Sequence, residues 1–289
     1  MAYRLIRAAS GGVPFYEFDC LHGLTGIRHA VLTRHGGVST GSLASLNVGH
    51  LVGDDSAAVA ENESRAVGVI GARREQVVTA QQVHAARVGV VGHRDRGSAL
   101  PSCDGLATAD PNVVLMLRFA DCVPVVLFDP SHHALALLHS GWRGWAAGVV
   151  TAGLRLMSIE FGTRPEELVA GIGPAIGPCC YQVGPEVGSE VQRGLGPAAY
   201  AVLSLRSGTT NLDLPGAVRL QLLSAGVRQI EQSRICTSCR RDEFFGNPEV
   251  TPILRGLSAA FLFSGFSVIS LGLLRRNLKF KQLAVVEIV

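Results

Sequence analysis

Ala120-Asp121-Cys122-Val123-Pro124-Val125-Val126-Leu127-Phe128-Asp129-Pro130-Ser131-His132-His133-Ala134-Leu135-Ala136-Leu137-Leu138-His139-Ser140-Gly141 is the stretch from which the architecture can be read. Val123–Phe128 is an apolar run that includes one proline, and Ala134–His139 is a second apolar run. Between them, Asp129–His133 is a turn-forming segment of hairpin-loop length. Pairing Phe128 with Ala134 sets Val123 opposite His139, with Cys122 one step away. A slip of one residue sets Cys122 directly opposite His139. In either register the thiol and the imidazole meet at the open end of the hairpin, where cross-strand Cβ atoms lie roughly 4.5–5.5 Å apart. His132 and His133 fall in the loop and are expected to be solvated. Asp121 is expected to point to the other face from Cys122, because strand side chains alternate.

Upstream, Gln81-Gln82-Val83-His84 follows a strand-like run, Gln76–Ala80, and Asp104-Gly105-Leu106-Ala107-Thr108 precedes the hairpin. His84, Cys122 and His139 are donors of the kind that hold zinc. Three protein ligands with a fourth position open is the pattern of a catalytic site, not a structural one. The plain alternative is a buried cysteine and two ordinary histidines. Asp104 is a candidate to orient a ligand histidine or to carry a proton, against the common use of aspartate before glycine in turns. Arg143, four residues after His139, is a candidate to neutralise charge beside a metal, against a helix-start residue packing on Trp142 or Trp145. Arg34 is a candidate clamp for an anion such as phosphate, against a surface ion pair. Gly36-Gly37 and Gly141 either let backbone approach a ligand or are simple turn glycines.

Around the hairpin, Arg28–Arg34 and Val113–Arg118 read as strands, and Asp55 as the N-cap of a helix over Ala57–Gly68. Trp145–Phe161 reads as one helix, with Ala146, Val149, Val150, Leu154, Met157 and Phe161 near helical spacing. Leu168–Ile172 is a further strand, and Pro185–Leu195 and Leu214–Ala225 are further helices. Local strand clusters separated by helices, with no repeat, heptad array or linker, predict an α+β fold.

Further motifs join these in order: Thr33-Arg34-His35-Gly36-Gly37-Val38-Ser39, Ser45-Leu46-Asn47-Val48-Gly49, Gly171-Ile172-Gly173-Pro174-Ala175-Ile176-Gly177-Pro178-Cys179-Cys180-Tyr181 and Cys236-Thr237-Ser238-Cys239. With Gln81–His84, Asp104–Thr108, Ala120–Pro124 and His139–Gly144 they resemble the laccase-domain family of multicopper-oxidoreductase type. Its members are also called polyphenol oxidases and are mostly described as purine nucleoside phosphorylases. Each motif alone is weak, and the ordered series, from about Ile27 to Phe245, is specific. The resemblance implies a layered single domain, with helices packed outside two mixed β-sheets. It implies zinc (Zn2+) held by His84, Cys122 and His139, with a position open for water or phosphate. It implies phosphorolysis of adenosine, inosine, guanosine or methylthioadenosine to the base and a pentose 1-phosphate, and hydrolytic deamination of adenosine. Asp104 and Arg143 are then the catalytic candidates, and Asn47 joins Arg34 as a substrate-binding candidate.

Other classes stay open. In a copper (Cu2+) polyphenol oxidase, His84, Cys122 and His139 would imitate a blue-copper ligand set. A multicopper oxidase also needs a trinuclear cluster of paired histidines, and the chain has no His-x-His pair and only three methionines. In a metal-free hydrolase Cys122 would be the nucleophile and His139 the base, acting on an amide such as one in a cell-wall precursor. A degenerate family member serving as a binding partner is the non-enzymatic alternative.

Composition suits a compact enzyme: 289 residues, 47% hydrophobic, 17% charged, net charge +3 with acids and bases interspersed. That balance gives no electrostatic case for nucleic acid or an acidic membrane; the resemblance implies small-molecule partners, purine nucleosides and phosphate, and the chain is expected to be a monomer or homodimer. The N-terminus lacks a secretory pattern, and seven cysteines in a chain this long read as reduced thiols in the cytoplasm. Cys236-x-x-Cys239 reads as structural, or as half of a zinc site or a redox pair without a second Cys-x-x-Cys. Cys179-Cys180 reads as buried packing. The family pattern breaks after Phe245: the family's arginine motifs do not follow, and Leu257–Leu274 is uncharged and followed by Arg275-Arg276. Residues 1–245 are therefore expected to form the domain, and 246–289 a divergent apolar tail that adds no metal ligand. A membrane span over Leu257–Leu274 is the less favoured reading of that tail.

Overall fold

The computed structural model describes residues 5–206 and 208–246, and the uncharged Leu257–Leu274 segment lies outside them. The fold is α+β. Its centre is a six-stranded mixed sheet whose strands are β1 (Val88–Val90), β2 (Gly105–Thr108), β3 (Val123–Asp129), β4 (Ala134–Ser140), β5 (Val169–Ile172) and β6 (Gln229–Gln232). Their order across the sheet is β6-β5-β3-β4-β2-β1. The outer pairs, β1 with β2 and β5 with β6, are parallel, and the inner pairs are antiparallel.

All seven residues of β3 are buried. Val123, Val125 and Leu127 enter one core with Val150, Leu154 and Met157, while Val126 and Phe128 enter another with Phe18 and Leu21. A strand covered on both faces cannot alternate polar with apolar residues, and Val123–Phe128 is apolar throughout, with only the terminal Asp129 charged. Each such side chain contributes about 1.5–3 kcal/mol on burial.

The described residues hold five helices, α1 (Ser56–Gly68), α2 (Trp142–Ala147), α3 (Val149–Phe161), α4 (Pro185–Leu195) and α5 (Leu214–Ser224); α2, α3 and α5 pack against the central sheet. Asp55 caps α1 by accepting from the Ala58 N–H at 2.9 Å, as its sequence position predicts. The single helix expected over Trp145–Phe161 is instead two. Gly148 adopts a left-handed conformation (φ 90°) and its N–H turns back to Gly144 and Trp145, closing α2 before α3 starts. Only glycine takes this conformation without strain. No described helix is long and apolar enough to cross a membrane.

Three small three-stranded sheets surround the central one, so the described residues hold four sheets where two were expected. Two expected strands are much shorter than their apolar runs: Arg28–Arg34 reduces to Val31–Leu32, and Val113–Arg118 to Val114–Leu115. The flanking backbone has other partners. The Arg34 N–H bonds to the Glu243 carbonyl and the Arg118 N–H to the Gln82 side chain.

The hairpin forms, but in a third register: Phe128 pairs with Leu135, His139 with Pro124 and Ser140 with Val123. Asp129 is the last residue of the strand, not the first of the loop. Its buried carboxylate accepts from the Ser131 and His132 N–H groups and contacts the His132 ring. This side-chain cap tightens the turn to 130–133 and shifts the pairing by one residue. His132 and His133 are exposed, as expected, although His132 is tied to Asp129.

Candidate metal centre

The register places Cys122 just before β3, beside Gly141 instead of opposite His139. Even so, His84, Cys122 and His139 bring one donor atom each within 4.8 Å of one another. Cys122 Sγ lies 3.7 Å from His84 Nε2. Tetrahedral ligands at zinc distances are separated by about 3.6 Å for a sulfur–nitrogen pair, so this contact is of the size a shared ion requires. The His84 and His139 rings meet edge to face with centroids 4.9 Å apart, and Phe119 lies against His139 at 5.5 Å.

Asp104 organises the group. It is fully buried, and its carboxylate accepts from three successive backbone N–H groups, Val83 (3.1 Å), His84 (2.9 Å) and Ala85 (2.8 Å). It also lies 2.8 Å from His139 Nδ1. A proton on Nδ1 facing this carboxylate leaves Nε2 of His139 with the lone pair, the tautomer a metal needs. The same carboxylate holds the backbone of His84 in a left-handed conformation, φ 59°. That conformation costs a non-glycine residue about 1–3 kcal/mol, and the hydrogen bonds to Asp104 offset it. Burial alone would raise the Asp104 carboxyl, but the His139 hydrogen bond and the N–H groups of Ala85 and Val83 outweigh it and hold it below the usual range.

Gly141 completes the packing. A Cβ there would sit 2.8 Å from His84 Cδ2 and 2.9 Å from Cys122 Sγ. Partial burial, then the neighbouring His139, hold the His84 imidazole below its ordinary value and favour the neutral, ligating form. Burial, then the charges of Asp121 and Asp104, push the Cys122 thiol up to about 12, against the charge of Arg143. A dication at the three donors would reverse that balance, because a coordinated thiol ionises. Donor types, separations and the orienting carboxylate all fit zinc.

The other candidate residues take the following places. The Arg143 guanidinium stacks over Trp142 at 4.5 Å, while its charge acts on Cys122 and His84. Arg34 donates to the carbonyls of Ala44 (2.8 Å), Ser42 and Arg241 (both 3.2 Å) and lies over the Phe245 ring. This ties loop to loop and, among the described residues, leaves one N–H on each terminal nitrogen. Asn47 bonds to Asp54 (2.7 Å) and to Gly49 on both sides of its amide, shaping the 47–54 loop. The Asp121 carboxylate turns away from the ligands to accept from Thr237 Oγ1 at 2.6 Å.

Three features escape sequence reasoning. Asn62, fully buried, bonds to Val38, Ser39, Ser45 and Asn47, so the early glycine-, serine- and asparagine-rich motifs converge on one amide. Arg118 links Val48, Thr79 and Glu63 and so fixes the segment leading to Cys122. The third feature corrects an expectation. Cys179 is exposed, not buried, and with Cys180 it meets Cys236 and Cys239. Nothing in the spacing of 56 residues between the two cysteine pairs signals that contact.

Fold and site together define a class: an α+β domain with a His–Cys–His cluster at one end of its main mixed sheet. The chain belongs to the family described as multi-copper polyphenol oxidoreductase laccase, whose model matches residues 28–249. A second family model, described as a polysaccharide biosynthesis protein, matches residues 238–289. A Geobacillus stearothermophilus protein named purine nucleoside phosphorylase YlmD is 40% identical over 225 residues, covering 74% of this chain and 82% of the relative. A Bacteroides thetaiotaomicron purine nucleoside phosphorylase is 33% identical over 261 residues, 87% of this chain and 95% of the relative. The crystal structure of YlmD from G. stearothermophilus superposes with a TM-score of 0.77 at 37% identity, covering 84% of this chain and 93% of that one. Bacillus licheniformis YfiH gives the same TM-score at 30% identity, with 84% and 92% covered.

Proposed function

We propose that this chain is a zinc-dependent purine nucleoside phosphorylase. Its substrates are adenosine, inosine, guanosine or methylthioadenosine with phosphate, and it has a second, hydrolytic activity that deaminates adenosine. The observation that carries the reading is the convergence of His84, Cys122 and His139 around a histidine oriented by Asp104, in a chain whose relatives bear the phosphorylase name.

His84, Cys122 and His139 would hold the ion, which when bound supplies Lewis acidity and an open coordination position. The chain's own groups do the rest. Asp104, with its oxygens occupied by His139 and three backbone N–H groups, acts by positioning, not by carrying a proton. Arg143, held by Trp142 beside the donors, presents positive charge to phosphate. Arg34 and Asn47 shape the loops around the substrate, and Arg34 keeps donors for an anion. In phosphorolysis a phosphate oxygen bonds to C1′ of the sugar, the C1′–N9 bond breaks, and the base leaves with a proton. In deamination a water oxygen bonds to C6 of the purine and ammonia leaves. A cytoplasmic location fits metabolites of this kind.

The 3.7 Å Cys122–His84 contact also suits a metal-free thiol hydrolase, with His84 in place of His139 as the base. Metal analysis separates the two readings, because zinc on the thiolate leaves no free nucleophile. Copper oxidase chemistry draws no comparable support: among the described residues, the other candidate metal groups contain one histidine between them. The direct test is incubation of the zinc-loaded protein with adenosine, with and without phosphate. Adenine and ribose 1-phosphate should appear only with phosphate, and inosine without it. Neither product from folded, zinc-loaded protein would overturn the proposal.

A further inference from the structure

The two cysteine pairs leave the sheet by neighbouring routes. Cys179-Cys180 sits in the turn that follows β5, and Cys236-x-x-Cys239 in the segment that follows β6. Because β5 and β6 are parallel neighbours, both segments emerge at the same end of the sheet. There they dock: Ala175 bridges to Cys236, the Thr237 N–H bonds to the Ala175 carbonyl at 3.0 Å, and Cys236–Cys239 is closed by the Cys239 N–H to the Cys236 carbonyl.

All four sulfurs lie within 4.8 Å of one another. Cys179 Sγ is 3.6 Å and Cys180 Sγ 3.4 Å from Cys239 Sγ. Four thiolates around zinc at about 2.3 Å form a tetrahedron with edges of about 3.8 Å. A disulfide would need about 2.05 Å, far inside these separations. The Gly177 N–H points at Cys236 Sγ at 3.2 Å, the kind of backbone donor that stabilises a coordinated thiolate. Cys179 and Cys239 are exposed, which gives an ion a way in.

We propose that Cys179, Cys180, Cys236 and Cys239 form a second metal site, a closed four-thiolate site for zinc, distinct from the His84–Cys122–His139 centre. Four protein ligands leave no open position, so its role is structural. The same two segments hold the loop that carries Cys122. The Ile176 N–H bonds to the Asp121 carbonyl at 2.9 Å, and Thr237 Oγ1 bonds to the Asp121 carboxylate at 2.6 Å. A zinc clamp on Cys179, Cys180, Cys236 and Cys239 therefore steadies the residue next to Cys122.

The test is metal content of the full chain purified under reducing conditions, with zinc as the probe. Wild type should hold about two zinc ions per chain, Cys122→Ala about one, Cys239→Ser about one, and the double variant none. Cobalt added to metal-free Cys122→Ala should give a strong thiolate-to-cobalt band in the near ultraviolet that Cys239→Ser abolishes. Because Cys122→Ala removes the other centre, its metal reports on the four thiols alone, whatever becomes of the phosphorylase reading. A folded Cys122→Ala chain that binds neither zinc nor cobalt overturns the proposal. So does a mass short by 2 or 4 Da in chain purified without reductant, alkylated and denatured, which marks disulfides. If Cys239→Ser fails to fold, Cys180→Ser and the mass of Cys122→Ala decide in its place.

Discussion

Replacing Gly141 by alanine isolates the packing of the proposed centre. The backbone at this position is ordinary (φ −73°, ψ 168°), so the substitution brings no conformational strain and its cost is steric. The new methyl would lie 2.8 Å from His84 Cδ2 and 2.9 Å from Cys122 Sγ. Relaxed contacts between such atoms are roughly 3.5–4.0 Å, so each side chain must retreat by about 0.6 Å or more. Metal sites tolerate shifts of about 0.2 Å in ligand position, so the two donors cannot both stay in place. The overpacking itself should cost about 1–3 kcal/mol of stability. Zinc affinity should fall at least as far as it does when a supporting residue is lost, about 10–100-fold. Competition against a chromophoric chelator measures the affinity, in a Cys239→Ser background if the four thiols also bind. Thermal unfolding of the metal-free protein checks the fold. A folded Gly141→Ala protein with unchanged zinc affinity would refute the placement of the ion between His84, Cys122 and His139.

Asp104→Asn should weaken zinc binding about 10–100-fold and lower stability by about 1–3 kcal/mol, because an amide cannot accept from three N–H groups and His139 together; chelator competition and urea unfolding read the two effects. Cys122→Ala should abolish phosphorolysis and deamination together while circular dichroism stays native, and deamination surviving in the folded, metal-depleted variant would sink the shared centre. Burial alone would raise the Glu63 carboxyl, but Arg74, His50 and Arg118 outweigh it and hold it below its ordinary value. Its contribution is therefore fully present above the unfolded value of about 4.3 and is lost as pH falls through the lower folded value. The stability gap between wild type and Glu63→Gln should shrink in urea unfolding below about pH 4, and a gap independent of pH would contradict this. Truncation after Phe245 should leave zinc binding and folding intact, as a domain of residues 1–245 with a separate 246–289 tail requires; loss of both would make the tail part of the core.

The class of the fold and the hairpin were legible in the residues, and the motif series singled out the three donors that cluster. The first two are local: an unbroken apolar run belongs in a strand covered on both faces, and Asp55 announces α1 at its own position. Register was not legible, because it depends on whether the Asp129 carboxylate turns back to cap 130–133 or faces solvent, and the apolar runs tolerate either. The break at Gly148 was hidden for a similar reason, since a glycine within helical spacing reads the same whether or not it turns left-handed. What long-range contacts set was visible only in the folded chain: Asp104 serves both histidines from a distance of 20 and 35 residues. The same holds for Asn62 gathering the early motifs, and for Cys179 and Cys180 meeting Cys236 and Cys239 across β5 and β6. Each depends on which strands become neighbours in the sheet, and residue spacing along the chain carries no information about that.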